Sequence, residues 1–328
     1  MAKYTPQTRD ELIGLVENLN INLGDIDTSA ITDMSFLFGH QGRYTDEWDD
    51  EAGDYKVKDS ATKRTDFSGI ETWDTSNVEL MNHTFYMVEH FNHDISGWNV
   101  SKVTNMEFMF CGAKSFNQPL NSWNVSSVTT MRFMFENAKA FNQPLDKWDT
   151  SKVEAMSDMF AGAENFNQLL NSWNVSKVQS MNGMFSGAKK FNQPLDKWDT
   201  SSVIGMGGMF CNAISFNQPL DKWDTSKVTG MNNIFSNTEN FNQPLNSWDT
   251  SKLESVDRMF ENAKAFNQPL DKWDMSSVVF MQDMFLNAKS FNQNLDSWDT
   301  ASVKIITRSV FKGSPLQNNP PKWYKKHI

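Results

Sequence analysis

The sequence predicts an α/β repeat protein, a solenoid in which each 25-residue coil supplies one short parallel strand and one short helix. Three observations carry that expectation. Tryptophan recurs at Trp73, Trp98, Trp123, Trp148, Trp173, Trp198, Trp223, Trp248, Trp273, Trp298 and Trp323, eleven of the 12 in the chain at an unbroken step of 25. Other columns keep the step: Phe91 to Phe291, Leu120 to Leu295, Val103 to Val303 with Leu253 as its exception, and Met81 to Met281 with Val256 as its exception. Within a coil, apolar residues first alternate and then fall at i, i+3, i+6, i+7 and i+10, as at Val103, Met106, Met109, Phe110 and Ala113. That change of period reads as a strand passing into a helix.

Taken in chain order, "TRDELIGLVENL" reads as an amphipathic helix with a capping box at Thr8 and Glu11, so residues 1–20 form an N-terminal cap. Residues 21–38 form a first coil, with Ile26 in the Trp column, Ile31 in the Val column and Met34 in the Met column. From Ile26 to Trp73 is 47 residues, one period plus 22, so residues 39–65 are an acidic insertion loop with room for a small hairpin. Residues 66–315 make ten coils, and residues 316–328 keep Trp323 but lose the repeat's Phe and Asp-Thr-Ser, as a C-terminal cap would.

One coil reads F-N-Q-P-L-[DN]-[KS]-W-[DN]-[TV]-S-x-V-x-x-M-x-x-M-F-x-x-A-x-x. The strand is placed at Trp and the [TV] residue two positions on, and the helix follows from a Ser N-cap. Four coils complete a capping box: Ser76 with Glu79, Ser151 with Glu154, Ser176 with Gln179 and Ser251 with Glu254. Proline in FNQPL fits a bend between coils. A single coil cannot bury its Trp, Met and Phe residues, whereas stacked coils set each between copies of itself. The Asn of FNQPL, as at Asn92, Asn117, Asn142 and Asn192, is expected to form a hydrogen-bonded ladder.

Composition narrows the function classes. The chain of 328 residues is 39% hydrophobic and 21% charged, in the range of globular proteins. A net charge of −10 argues against a nucleic-acid partner, which needs a clustered basic field. No apolar run approaches the ~20 residues of a membrane-spanning helix. Cys111 and Cys211 take the same place four coils apart, roughly 20 Å at strand spacing, and are expected to be reduced. The five histidines form no HExxH or His/Cys cluster, and the chain has no glycine-rich phosphate loop and no G-x-S-x-G. The expectation is a non-enzyme without catalytic residues, metal or cofactor.

The unit W-[DN]-[TV]-S-x-V-x-x-M-x-x-M-F-x-x-A-x-x-F-N-Q-P-L, running from residue 21 to about 325, resembles the bacterial surface protein repeats of about 26 residues known as BspA-like. The resemblance implies a right-handed, leucine-rich-repeat-like solenoid, no catalytic residues, and a role in surface display, adhesion or partner contact. It also implies a cell-surface or secreted place. The sequence itself shows neither an uninterrupted apolar leader segment nor a lipid-accepting Cys near its start, which keeps a cytoplasmic place open.

Function is expected where columns face outward or vary. The candidate contacts are Lys147, Lys197, Lys222 and Lys272 before Trp, and Asp149, Asp199, Asp224, Asp249 and Asp274 after it, lined up on one sheet face. Trp48 in the insertion is a further candidate, amid Asp46, Glu47, Asp49, Asp50, Glu51 and Asp54. Positions such as Glu107/Phe108, Arg132/Phe133, Ser157/Asp158, Gly207/Gly208 and Asp257/Arg258 vary freely, and Phe108, Phe133 and Phe280 could be exposed. The expected role is a monomeric module binding a protein or carbohydrate surface without inserting into a membrane. A structural or self-assembling spacer and an intracellular effector or regulator are the alternatives.

Overall fold

A computed structural model describes residues 2–39 and 63–327, together with the backbone of residues 44–49 and 54–57. The N-terminal helix α1, Arg9–Glu17, is capped by Thr8, whose side chain accepts from the Glu11 N–H, and it buries Leu12 and Val16 against the first coil. Arg64 ties this helix to the return of the insertion: buried itself, it donates from Nε to Val16 O at 2.9 Å and from Nη2 to Asn18 O at 2.8 Å. The carbonyls left open at the helix end thereby gain partners. Inside the insertion, strands β1 (Tyr44–Asp49) and β2 (Asp54–Val57) pair antiparallel, with Trp48 opposite Tyr55. The side chains of this hairpin, and Asp50 and Glu51, lie outside the described residues.

From Leu80 onward the 25-residue units stack in register. Parallel bridges join Asp33 to Leu80, Leu80 to Asn105, Asn105 to Thr130, and so on to Phe280. The series closes with the two-residue strands β3 (Phe280–Met281) and β4 (Ile305–Ile306). The bridge column thus lies seven residues after each Trp, not at the Trp itself. The segment expected to be the strand is instead held by turns and side chains. Trp148 N–H closes a turn onto Leu145 O at 3.2 Å, and Thr150 Oγ1 donates to Asn174 O of the next coil at 2.9 Å.

The expected helix is absent from the coils. Between Met106 and Ala113 the backbone divides its hydrogen bonds between two directions. Met106, Phe108, Phe110 and Gly112 donate to Thr130, Arg132, Met134 and Glu136 of the next coil, at 3.2, 3.0, 2.9 and 2.7 Å. The residues between them turn back: Met109 donates to Met106 O, Cys111 to Phe108 O and Ala113 to Phe110 O, at 3.3, 3.1 and 3.0 Å. An α-helix would spend all of these donors internally. This zigzag needs left-handed residues at two columns. One holds Phe108, Phe133, Asp158, Gly183, Gly208, Asn233, Arg258 and Asp283, with φ between 52° and 64°. The other holds Gly112, Asn137, Gly162, Gly187, Asn212, Asn237, Asn262 and Asn287, with φ between 54° and 72°. Such residues end a right-handed helix. The Ser capping boxes disappear with it: the Glu154 N–H donates to Thr129 O of the preceding coil at 2.8 Å.

The core is a set of ring columns. Trp148 stacks on Trp173 with centroids 6.1 Å apart and planes 5° from parallel. Phe110 stacks on Phe135 at 5.5 Å, Phe116 on Phe141 at 5.9 Å, and Phe110 on Phe116 within one coil at 4.1 Å. From Trp73 to Trp323, each Trp indole N–H of the column reaches a carbonyl of the coil before, as Trp148 Nε1 to Leu120 O at 2.9 Å, so the ring is buried without an unpaired donor. At the far end Trp323 stacks on Trp298 at 6.0 Å and Tyr324 packs edge-on against Phe311.

An asparagine ladder runs beside the Phe column. Asn142 N–H donates to Asn117 Oδ1, Asn167 N–H to Asn142 Oδ1 and Asn192 N–H to Asn167 Oδ1, at 2.9, 2.9 and 3.0 Å, and Gln168 Nε2 shares the Asn142 oxygen at 3.0 Å. Asn142→Ala removes one acceptor from two donors and should cost about 1–3 kcal/mol. Urea unfolding and amide exchange of the coils on either side test this: Asn142→Asp, which keeps the acceptor, should lose less. An unchanged midpoint in the alanine variant would show that the ladder carries no stability.

Candidate functional site

The Lys and Asp columns flanking Trp are exposed, but no sheet presents them. Each Asp serves its own turn. Asp149 Oδ1 accepts the Ser151 N–H at 3.0 Å, Asp199 that of Ser201 at 3.1 Å, Asp224 that of Ser226 at 2.9 Å, Asp249 that of Ser251 at 3.0 Å and Asp274 that of Ser276 at 2.9 Å. These are Asx turns. The hydrogen bonds from Ser hold the five carboxyls below the usual aspartate range. The column therefore has a structural job that Asn fills equally well, as Asn124 does toward the Ser126 N–H at 3.2 Å.

The lysines are likewise anchored through the backbone. The N–H groups of Lys147, Lys197 and Lys272 donate to Asn121, Asn171 and Asn246 Oδ1 at 3.0, 3.0 and 3.1 Å, while Lys222 Nζ approaches Asp196 at 3.5 Å. Exposed pairs of this kind contribute little. Among the described residues, no three His, Cys, Asp or Glu side chains are grouped to hold a metal ion. Among the described residues Cys111 and Cys211 form no disulfide, and burial pushes the Cys211 thiol up.

The face beside the bridge column is different in kind, because there the residues change from coil to coil. Its left-handed column begins as a stack of half-buried rings: Phe36 on His83 at 4.1 Å, His83 on Phe108 at 4.5 Å and Phe108 on Phe133 at 4.4 Å. Burial in this stack brings His83 down to about 4, so its ring is neutral near pH 7. Phe108 and Phe133 thus fold back onto their neighbours, and Phe280, at 38% exposure, is the open ring of the three.

Above Phe133 the aromatic stack stops at Asp158, and a hollow of about 390 Å³ opens, lined by Arg132, Phe133, Ala155, Ser157, Asp158, Ser180 and Asn182. Four coils on, a second hollow of about 470 Å³ lies among Asn232, Asn233, Ser255, Asp257, Arg258, Phe280 and Gln282. The two differ in how their charges are met. Around the second, Arg258 Nε stands 3.7 Å from Asp283, and Asp257 Oδ1 accepts the Gln282 N–H at 2.6 Å. At the first, Ser157 and Ser180 hydroxyls bond to one another at 2.7 Å, and Arg132 lies 3.9 Å from Glu107. Burial raises Asp158 to about 6 against the opposing field of Arg132.

Three overlapping stretches of the chain, residues 55–168, 143–230 and 215–323, match a family described as "Mycoplasma protein of unknown function, DUF285". The chain belongs to this family. No curated protein matches it. The three tandem matches make this DUF285 chain a repeat protein, and its variable face is a property of the repeat as a whole. These variable positions lie on a backbone bonded to the next coil and not on the helix that their spacing predicts. The signal that could have put them on a stacked backbone was the Gly/Asn column at 112, 137, 162, 187, 212, 237, 262 and 287.

Asp158 supplies a stability test. Its folded-state value lies above its unfolded value, so the charged carboxylate opposes folding at pH 7, and that cost is relieved as the pH falls from about 6 toward 4. Asp158→Asn should therefore raise the melting temperature at pH 7, with the gain shrinking toward pH 4. A gain that is absent at pH 7, or constant with pH, would contradict the assignment.

Proposed function

We propose that this chain is a non-enzymatic, BspA-like solenoid of the leucine-rich-repeat type that works as a protein- or glycan-binding module. The bridge face, rather than the Lys/Asp columns, is its contact surface. One observation carries the proposal. Nearly every repeated residue is spent on stacking, ladders or turns, while the column beside the bridges runs through Phe, Asp, Gly, Asn and Arg at one backbone position. A structural need would select Gly or Asn there throughout, so the variety is free to answer to a partner. Stacked repeats turn such variation into an extended surface. Adhesion or partner contact at a bacterial cell surface is the setting that this reading favours.

Protein and glycan arrays test it with the full chain and two variant sets. One set changes Arg132, Asn182, Arg258 and Gln282 on the bridge face, and the other changes Lys147, Asp149, Lys197 and Asp199. Binding should vanish with the first set and persist with the second. Loss with the second set alone would return the contact surface to the Trp-flanking columns. Silence of the unaltered chain on every array would contradict the module reading.

A further inference from the structure

We propose that the hollow at Asp158 binds a neutral saccharide, an inference that rests on the binding-module reading and names its ligand class and site. The starting point is a difference between two aspartates at the same backbone position. Asp283 accepts from Thr307 Oγ1 at 2.8 Å and from Ser309 Oγ, with Arg258 Nε at 3.7 Å. The residues at the corresponding offsets from Asp158 are Asn182, Met184 and Phe133. Among the described residues none donates a hydrogen bond to the Asp158 carboxylate, and burial is the leading influence on it.

A half-buried carboxylate without donors works against folding. The backbone does not ask for it, since Gly183, Gly208 and Asn233 adopt the same left-handed conformation in the coils that follow. The neighbourhood nevertheless accommodates it. Asp158 Oδ1 occupies the space that a side chain at position 183 would fill, so Gly183 is what lets the carboxylate lie across the floor of the hollow. Beyond it, nothing stands within 4 Å of where a Cβ on Gly208 would project, and the floor stays open.

The ligand class follows from the mixture of groups. Arg132 brings a cation to the rim, and Asn182, whose Oδ1 accepts the Gly207 N–H at 2.8 Å, keeps its amide donors. A cationic ligand would meet Arg132 and an anionic one would meet Asp158. Hydroxyl groups both donate and accept, so a polyhydroxyl ligand satisfies the carboxylate and the donors together. Phe133 adds an apolar wall for the C–H surface of a sugar ring. A volume of about 390 Å³ belongs to the small end of the ~300–1,000 Å³ typical of small-molecule sites, which suits one or two sugar rings better than a protein surface.

The experiment titrates the full chain with short neutral oligosaccharides of gluco, galacto, manno and N-acetylhexosamine type, by saturation-transfer NMR and calorimetry. Asp158→Asn and Gly183→Asn are run in parallel. Both substitutions suit the left-handed backbone, and near-UV circular dichroism of the Trp stack confirms folding. At least one sugar should bind at pH 7.5. Asp158→Asn should weaken it about tenfold or more through loss of the charged acceptor. Gly183→Asn should do the same by displacing the carboxylate, and affinity of the unaltered chain should fall below about pH 6 as Asp158 takes up its proton. Sugar binding unchanged in both folded variants overturns the site. Protein capture on the arrays without any sugar binding overturns the ligand class and leaves the module reading standing, whereas no binding of either kind overturns both.

Discussion

The structure depends on where the backbone N–H groups of the M-x-x-M-F-x-[GN]-A segment go. Every second one leaves its own coil and meets a carbonyl of the next, as Phe110 does with Met134 at 2.9 Å, while the alternate ones close three-residue turns. Backbone groups in a packed interior must all find partners. Here stacking provides half of them, so a coil without its neighbour would leave these donors open as well as its rings. Register follows at once. A slip of one residue would send side chains of the wrong column into the ring stack and take Gly and Asn out of the left-handed column that runs from Gly112 to Asn287.

Other features of the repeat answer the same constraint. Ring columns, the Trp indole bonds and the Asn ladder are contacts between neighbouring coils, and the Asx turns give further backbone N–H groups a partner within their own coil. Stacked aromatic pairs contribute roughly 0.5–1.5 kcal/mol each beyond their burial, and they are repeated along the whole array. So much of the sequence is committed to construction that the positions left free are few. They gather beside the bridge column because side chains there sit outside the ring stack on a backbone that is already fixed by neighbours on both sides.

Much of the fold was legible in the sequence. The 25-residue period sets the columns, Asn142 and its copies read as a ladder, and Thr8 with Glu11 reads as a helix start. The helix in each coil was misread because Val103, Met106, Met109, Phe110 and Ala113 have helical spacing, and spacing alone cannot tell a helix from a chain of turns that points the same residues inward. Gly112, Asn137 and their counterparts carried the deciding information, since a left-handed residue in every coil is incompatible with a continuous helix. The strand was misplaced for a related reason: alternation at Trp148 and Thr150 reflects two buried side chains on a bend, and the bridge at Ala155 is a single residue without a pattern of its own. The Asp158 hollow was not legible, because its distinctiveness lies in the partners that Asp158 lacks and Asp283 has.

The direction of these backbone bonds can be measured. Scalar couplings across hydrogen bonds in the deuterated, isotope-labelled protein report which carbonyl each amide meets. The account predicts couplings from the amides of Phe110, Phe135 and Phe160 to the carbonyls of Met134, Met159 and Met184, one coil onward. Couplings from those amides to carbonyls four residues earlier in the same coil would mean that the coils contain helices after all, and would contradict it.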